Sequence, residues 1–209
     1  MGRLKDKNIL LVVPSDYYDE EQFEPLMETF NAEEANVVVA SAKLKDAIGM
    51  RKGKLTPQVM IVDSVEGIVG DSYVTATGTG SRQVKGVYHG VVLVGGKGAR
   101  KYMWNDRVLH VLLSDRHRSG FILGAVGTAV PTLGVAGLLE GKNATAELDK
   151  HSRKALDEAN ALLEDEDVVV DKSVITDRGA AAVITANGAG AIEKFAQTVI
   201  DYVQNTEKK

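Results

Sequence analysis

Two glycine-containing turns carry the clearest chemical suggestion in this chain. Gly127 and Thr128 stand where the apolar run 120–126 (GFILGAV) passes directly into a helical pattern. A strand that turns straight into a helix aims the first backbone N–H groups of that helix into a cleft, which makes an anion or oxyanion pocket. Elbow enzymes place a Ser or Cys at this point; here a Gly stands there, followed by Thr. Thr128 is then either the hydroxyl of such a pocket or the N-cap of a tight turn that requires Gly127. Gly95-Gly96-Lys97-Gly98-Ala99-Arg100 follows another apolar run and adds two cations. It is either a cradle for phosphate or carboxylate or a flexible turn, and Lys101 breaks any full GxGxxG pattern.

The remaining reactive residue types are scattered. His89, His110, His117 and His151 form no HxH or HxxxH pair, so no metal site is expected. Ser114, Asp115 and His117 are neighbours in sequence, but a triad is assembled in space. Arg116, His117 and Arg118 read as a solvated loop, and Arg51, Lys52 and Lys54 as a solvated basic cluster. Asp16, Asp19, Glu20 and Glu21 could hold a cation or act as acid and base, although charge compensation at a helix N-terminus explains most of the group. No cofactor is expected.

Composition excludes more than these motifs assign. The chain has no cysteine. That removes a disulfide framework, thiolate metal sites, Fe–S ligation and every cysteine-nucleophile mechanism. Its 209 residues are 44% hydrophobic and 26% charged, which suits one α/β domain over residues 1–209. The formal net charge of −4 argues against a nucleic-acid partner, since dedicated binders are usually basic. The N-terminal apolar run covers only residues 9–13, and no stretch reaches ~18 apolar residues. A cytoplasmic protein with no membrane partner is therefore expected.

The elements that must position the turns follow from hydrophobic pattern. Residues 8–13 (NILLVV) and 36–41 (NVVVAS) read as buried strands around a helix at 19–31, whose Phe23, Leu26, Met27 and Phe30 recur at helical spacing. Unbroken apolar strands joined through a helix imply a parallel sheet covered on both faces. Further strands are expected at 58–63, 87–94, 120–126, 167–177 and 180–186. Helices are expected at about 105–116, from Gly127 and Thr128 to about Leu139, at 145–165 and at 191–205. Residues 64–86, rich in Gly, Ser and Thr, read as a β-hairpin or a mobile flap that reshapes the cleft or a dimer contact. VITDRGAAA (174–182) and VITANGAGA (183–191) echo each other, as a duplicated edge strand would. In such sheets ligands gather beyond the carboxyl ends of the strands, here residues 14–18, 95–100, 127–128 and 187–190.

Taken in order, NILLVVPSDYYDEEQFEPLMETF with NVVVAS, VYHGVVLVGG, ILGAVGTAVPTLGVAGLLEGKNAT and VITANGAGAIEKFAQTVIDYV resemble the ThiJ/PfpI superfamily over about residues 8–205. Residues 135–145 (VAGLLEGKNAT) carry the most specific match. That group includes a parkinsonism-associated deglycase, glyoxalase-like proteins, intracellular proteases and heat-shock chaperones. The resemblance implies a flavodoxin-like three-layer α/β sandwich with a mostly parallel central sheet, assembled as a homodimer or larger homo-oligomer. The family elbow carries a cysteine; counting back from Ala136 and Gly137 places it on Gly127, with Thr128 next. The family's glutamate after the first strand falls on Tyr18 or, with a slip of two residues, on Glu20. Its Gly-Gly, which supplies an oxyanion amide, matches Gly95 and Gly96. A glycine cannot attack a substrate, so the resemblance implies the scaffold without its cysteine chemistry, a pseudoenzyme.

Three functions compete on this reading. The first is a protein that binds a small anionic or carbonyl metabolite, or a protein partner, at the degenerate elbow. Its ligand-binding residues would be Gly95, Gly96, Lys97, Gly127 and Thr128. The second is a hydrolase or a glyoxalase- or deglycase-like enzyme with Thr128 as nucleophile or a carboxylate, Glu20 or Glu21, as base. The third is a chaperone-like homo-oligomer, which needs an exposed apolar patch.

Overall fold

The computed structural model describes residues 2–74, 80–176 and 179–206. Seven strands form its main sheet: β1 (Asn8–Val12), β2 (Asn36–Ser41), β3 (Val59–Met60), β4 (Gly90–Leu93), β5 (Ile122–Val126), β6 (Val168–Thr176) and β7 (Gly179–Ala186). They lie in the order β6-β7-β5-β4-β1-β2-β3. Every neighbouring pair is parallel except the edge hairpin of β6 with β7. The five principal helices are α1 (Glu20–Ala32), α2 (Arg107–Arg118), α3 (Val130–Val135), α4 (Lys150–Glu158) and α5 (Ile192–Val203).

Successive side chains of a strand point to opposite faces, and this sheet buries both. Ile9, Leu11 and Val13 pack in one layer with Phe23, Leu26 and Phe30 of α1 and Phe195, Val199 and Ile200 of α5. Leu10, Val12, Val91 and Leu93 pack in the other with Leu109, Leu112 and Leu113 of α2, Leu133 of α3 and Leu156 of α4. This is why the strands read as unbroken apolar runs. The result is the expected flavodoxin-like α/β sandwich with a mostly parallel central sheet.

The order of winding fixes the cleft. From β1 the chain builds outward through β2 and β3, then returns to the other side of β1 and builds through β4, β5 and β7. The crevice between oppositely directed connections opens past the carboxyl ends of β1 and β4. The loops after Val12 and Leu93 line it, and the turn after Val126 on the adjacent strand completes it.

Several elements differ from the sequence pattern. The helix expected at 145–165 is only α4. Asp149 accepts hydrogen bonds from the His151 and Ser152 amides while the Ser152 side chain accepts from the Asp149 amide, a capping box that starts the helix at Lys150. Asn160, at φ 53°, ends it. Residues 145–149 are left as an extended strap. The helix expected from Gly127 to about Leu139 is a 3-10 turn, Gly127–Ala129, followed by the short α3, with Gly137 at φ 74° beyond it. The strand expected at 58–63 pairs only at Val59–Met60 and then coils into a helical turn, Ile61–Ser64.

Residues 64–86 contain the expected hairpin: Ile68–Val74 pairs antiparallel with Gly80–Gly86. Residues 75–79, which the flap reading also covers, lie outside the described residues. Where this hairpin joins the sheet, the Asn8 side chain donates to the Val87 carbonyl at 2.9 Å. Asn8 opens β1, so the hairpin base sits at the opposite end of that strand from the cleft, and does not border it. The echoed segments form one hairpin and the turn beyond it rather than two equivalent edge strands: 183–186 belong to β7 and 189–191 to a 3-10 turn. Arg116 and His117 are not in a solvated loop. They belong to the last turn of α2 and are buried, because they continue the inward stripe of Leu109, Leu112 and Leu113.

Candidate functional site

Gly127 lies at the bottom of the cleft. It is buried and its φ is 56°, a conformation that suits glycine. A Cβ built on it would stand 3.1 Å from Gln22 Nε2 and 3.3 Å from Glu147 Oε2. These two side chains come from α1 and from the strap 145–149. Sequence reading did not single out either one.

Gln22 is held from both sides. Its Oε1 accepts from the Gly95 amide at 2.7 Å, and its Nε2 donates to Asp19 Oδ2 at 3.0 Å. Asp19 is the N-cap of α1, its Oδ1 accepting from the Glu21 amide at 3.0 Å. Glu147 is placed by its strap. The Thr145 amide donates to Thr185 Oγ1 at 2.9 Å, and the Ser152 hydroxyl lies 2.9 Å from the Glu147 carbonyl.

The Gly95–Gly98 loop is pressed against the turn after β1. A Cβ on Gly96 would meet the Tyr17 carbonyl at 2.3 Å, and one on Gly98 the Asp16 carbonyl at 1.8 Å. Both amides expected to face a ligand already donate inside the protein. Gly95 N–H reaches Gln22, and Gly96 N–H reaches Thr128 Oγ1 at 2.9 Å. The Thr128 hydroxyl in turn donates to the Gly96 carbonyl at 2.9 Å. It therefore clamps the elbow to the glycine loop and caps no helix. A carbonyl oxygen is no base, so nothing here draws the proton from Thr128 as a nucleophile would need.

The other expected residues lie around this centre. Lys97 is exposed, with its amide 3.4 Å from Met50 Sδ. Tyr18 is buried in the α1 layer, its ring edge-on to Phe23 at 5.7 Å. Glu20 is turned away from Gly127: its carboxylate accepts from the Arg51 amide at 2.9 Å and the Gly53 amide at 3.0 Å, anchoring the loop 49–53. Glu21 pairs with the Arg51 guanidinium. Ser114, Asp115 and His117 form no triad, because Asp115 pairs with Arg116 while His117 Nε2 faces Lys142 Nζ at 3.1 Å. Among the described residues no group of three His, Asp or Glu side chains could hold a metal ion.

The electrostatics of the centre are acidic. Burial raises the Asp19 carboxyl above its ordinary range, against the Glu21 amide that lowers it, and the Glu21 and Glu20 charges add to the rise. Burial also raises Glu147, helped by the charges of Asp19 and Asp149. Asp19 lies close enough for its charge to raise Glu147, and negative charge so placed disfavours a bound anion.

These strand-end features sit on a scaffold shared with known proteins. Residues 7–202 match the DJ-1/PfpI family. The chain belongs to the DJ-1/PfpI family. An uncharacterised protein of Methanocaldococcus jannaschii is 32% identical over 174 residues, covering 83% of this chain and 75% of that one. A ThiJ/PfpI domain protein of Brachyspira murdochii superposes with a TM-score of 0.75 at 20% identity, over 98% of this chain and 99% of its own. DJ-1beta of Drosophila melanogaster gives 0.70 at 20% identity, over 98% and 95%. At that identity the two solved structures show the fold alone. This DJ-1/PfpI member has no cysteine at any position. Among the described residues no helix is long and apolar enough to cross a membrane.

Proposed function

We propose that this DJ-1/PfpI member binds a small molecule non-covalently in the elbow cleft and performs no covalent catalysis there. The observation that carries the reading is the glycine at the elbow. Where a nucleophile would project there is no side chain, and the buried Gln22 and the exposed Glu147 stand 3.1 and 3.3 Å from the point a Cβ would occupy. The amides of Gly95 and Gly96 are taken up internally, and the carboxyl beside Gly127 is that of Glu147, with the Asp19 charge acting on it. The geometry therefore supports a neutral polar ligand over the anionic metabolite that the sequence suggested. A homodimer, which the family resemblance implies, and a cytoplasmic location, which the apolar pattern of the sequence suggests, belong to the same proposal.

One observation favours a second reading. A carboxyl raised by burial, such as Glu147, suits proton transfer to a small carbonyl substrate. Methylglyoxal consumption followed by proton NMR separates the two readings, with Thr128→Ala and Glu147→Gln samples alongside. The expected result is no turnover above buffer in any sample. Turnover by the wild type that disappears in Glu147→Gln or in Thr128→Ala would replace the binding reading with an enzyme using that residue.

A further inference from the structure

Gln22 is 1% exposed. Its carboxamide carries one acceptor oxygen and two N–H donors. The oxygen is used on Gly95 and one N–H on Asp19. The second N–H has no acceptor among the described residues, although its nitrogen lies 3.1 Å from the missing Cβ of Gly127. Buried donors are rarely left unmatched, because desolvating them without a partner is costly. Glu147 Oε2 stands 3.3 Å from the same point. Glu147 is exposed, and no donor among the described residues reaches its carboxylate.

We propose that the cleft recognises its ligand through a neutral hydroxyl group seated just outside Gly127, accepting from Gln22 Nε2 and donating to the Glu147 carboxylate. This rests on the non-covalent reading above and names the chemistry of its ligand: a small neutral alcohol or polyol. A hydroxyl is both donor and acceptor, so it satisfies both groups at once. A carboxylate or phosphate would meet the Glu147 carboxylate, with the Asp19 charge close enough to act on it. An ammonium would pair with Glu147 but set donor against donor at Gln22. Water makes the same two hydrogen bonds, so the ligand succeeds by displacing it and adding contacts of its carbon skeleton.

The test is a titration of 15N-labelled protein, reading the Gly127 amide and the Gln22 side-chain NH2. Glycerol, acetate and methylammonium are the probes. Glycerol should shift both signals saturably, and neither ion should. Glu147→Leu should weaken glycerol binding about fivefold or more, whereas Glu147→Gln, which keeps an acceptor oxygen, should retain most of it. The other amide signals report whether each variant is folded. Glycerol binding unchanged in Glu147→Leu overturns the proposal. Saturable shifts with acetate or methylammonium but not glycerol also overturn it and leave non-covalent binding standing. If no probe moves either signal, the hydroxyl assignment and the binding reading fall together.

Discussion

Glycine does different work at neighbouring positions of this cleft, and substitution separates the two kinds. At Gly127 a methyl group would press on two side-chain ends, Gln22 Nε2 at 3.1 Å and Glu147 Oε2 at 3.3 Å, which must give slightly, and the conformational cost adds to that. A non-glycine residue at φ 56° costs about 1–2 kcal/mol. Gly127→Ala should therefore fold, lose at least that much stability in urea denaturation, and bind ligand more weakly because the methyl stands between Gln22 and Glu147. At Gly96 the Cβ would lie 2.3 Å from a backbone carbonyl, which cannot yield as a flexible side chain would. Gly96→Ala should lose more stability than Gly127→Ala in the same measurement. The reverse order would show that the loop after β4 is not packed against the turn after β1.

At the scale of elements, the C-terminal turn of α2 carries a buried titratable contact remote from the cleft. His117 Nε2 faces Lys142 Nζ at 3.1 Å, and Asp171, which accepts from the Asn143 amide at 3.0 Å, lies close enough to act on both. Burial, then the Lys142 charge, pushes His117 down to about 4 against the opposing Asp171. The unfolded chain binds this proton near the ordinary value of ~6.5, so between those limits it holds more protons than the folded one. Stability contributed by the neutral ring is complete above that ordinary value and is lost as pH falls toward 4. By linkage the loss is roughly 2–3 kcal/mol. Urea denaturation from pH 7 to pH 4 should show it, and His117→Gln, which keeps an acceptor without titrating, should flatten the slope. Asp19 and Glu147 act in the opposite sense, since their raised carboxyls bind protons more readily when folded. An acid slope identical in wild type and His117→Gln would mean that the imidazole is not held neutral.

For the whole molecule, the doubly wound sheet places the cleft, and a neighbouring surface bears on assembly. Tyr17, Leu44 and Met50 are exposed apolar side chains on the turn after β1 and the segment facing it. The Tyr17 amide donates to the Ile48 carbonyl, and the Met50 amide to the Tyr18 carbonyl at 2.9 Å. The proposed homodimer should sediment at about twice the chain mass of 22.4 kDa, and Tyr17→Lys at this patch should shift the equilibrium toward monomer. A single species at the chain mass would remove the dimer from the proposal.

The sequence by itself determined the layers and the elbow. Runs such as NILLVV and NVVVAS must be buried on both faces, and an apolar run ending in Gly127 must turn where its hydrophobic pattern changes period. It also determined that no cysteine acts there. It misplaced the start of α4, although the Asp149 and Ser152 spacing of a capping box was present to mark it, and so left Glu147 inside a helix instead of on a strap over the cleft. The partners of Gly127 were decided only by tertiary structure. Gln22 and Glu147 belong to segments far apart in sequence, and nothing local to either reports the other. Parallel pairing of β1, β4 and β5 brings these segments together, because it sets all three strand ends at one edge of the sheet. That convergence also turned Gly95 and Gly96 from open anion donors into partners of Gln22 and Thr128.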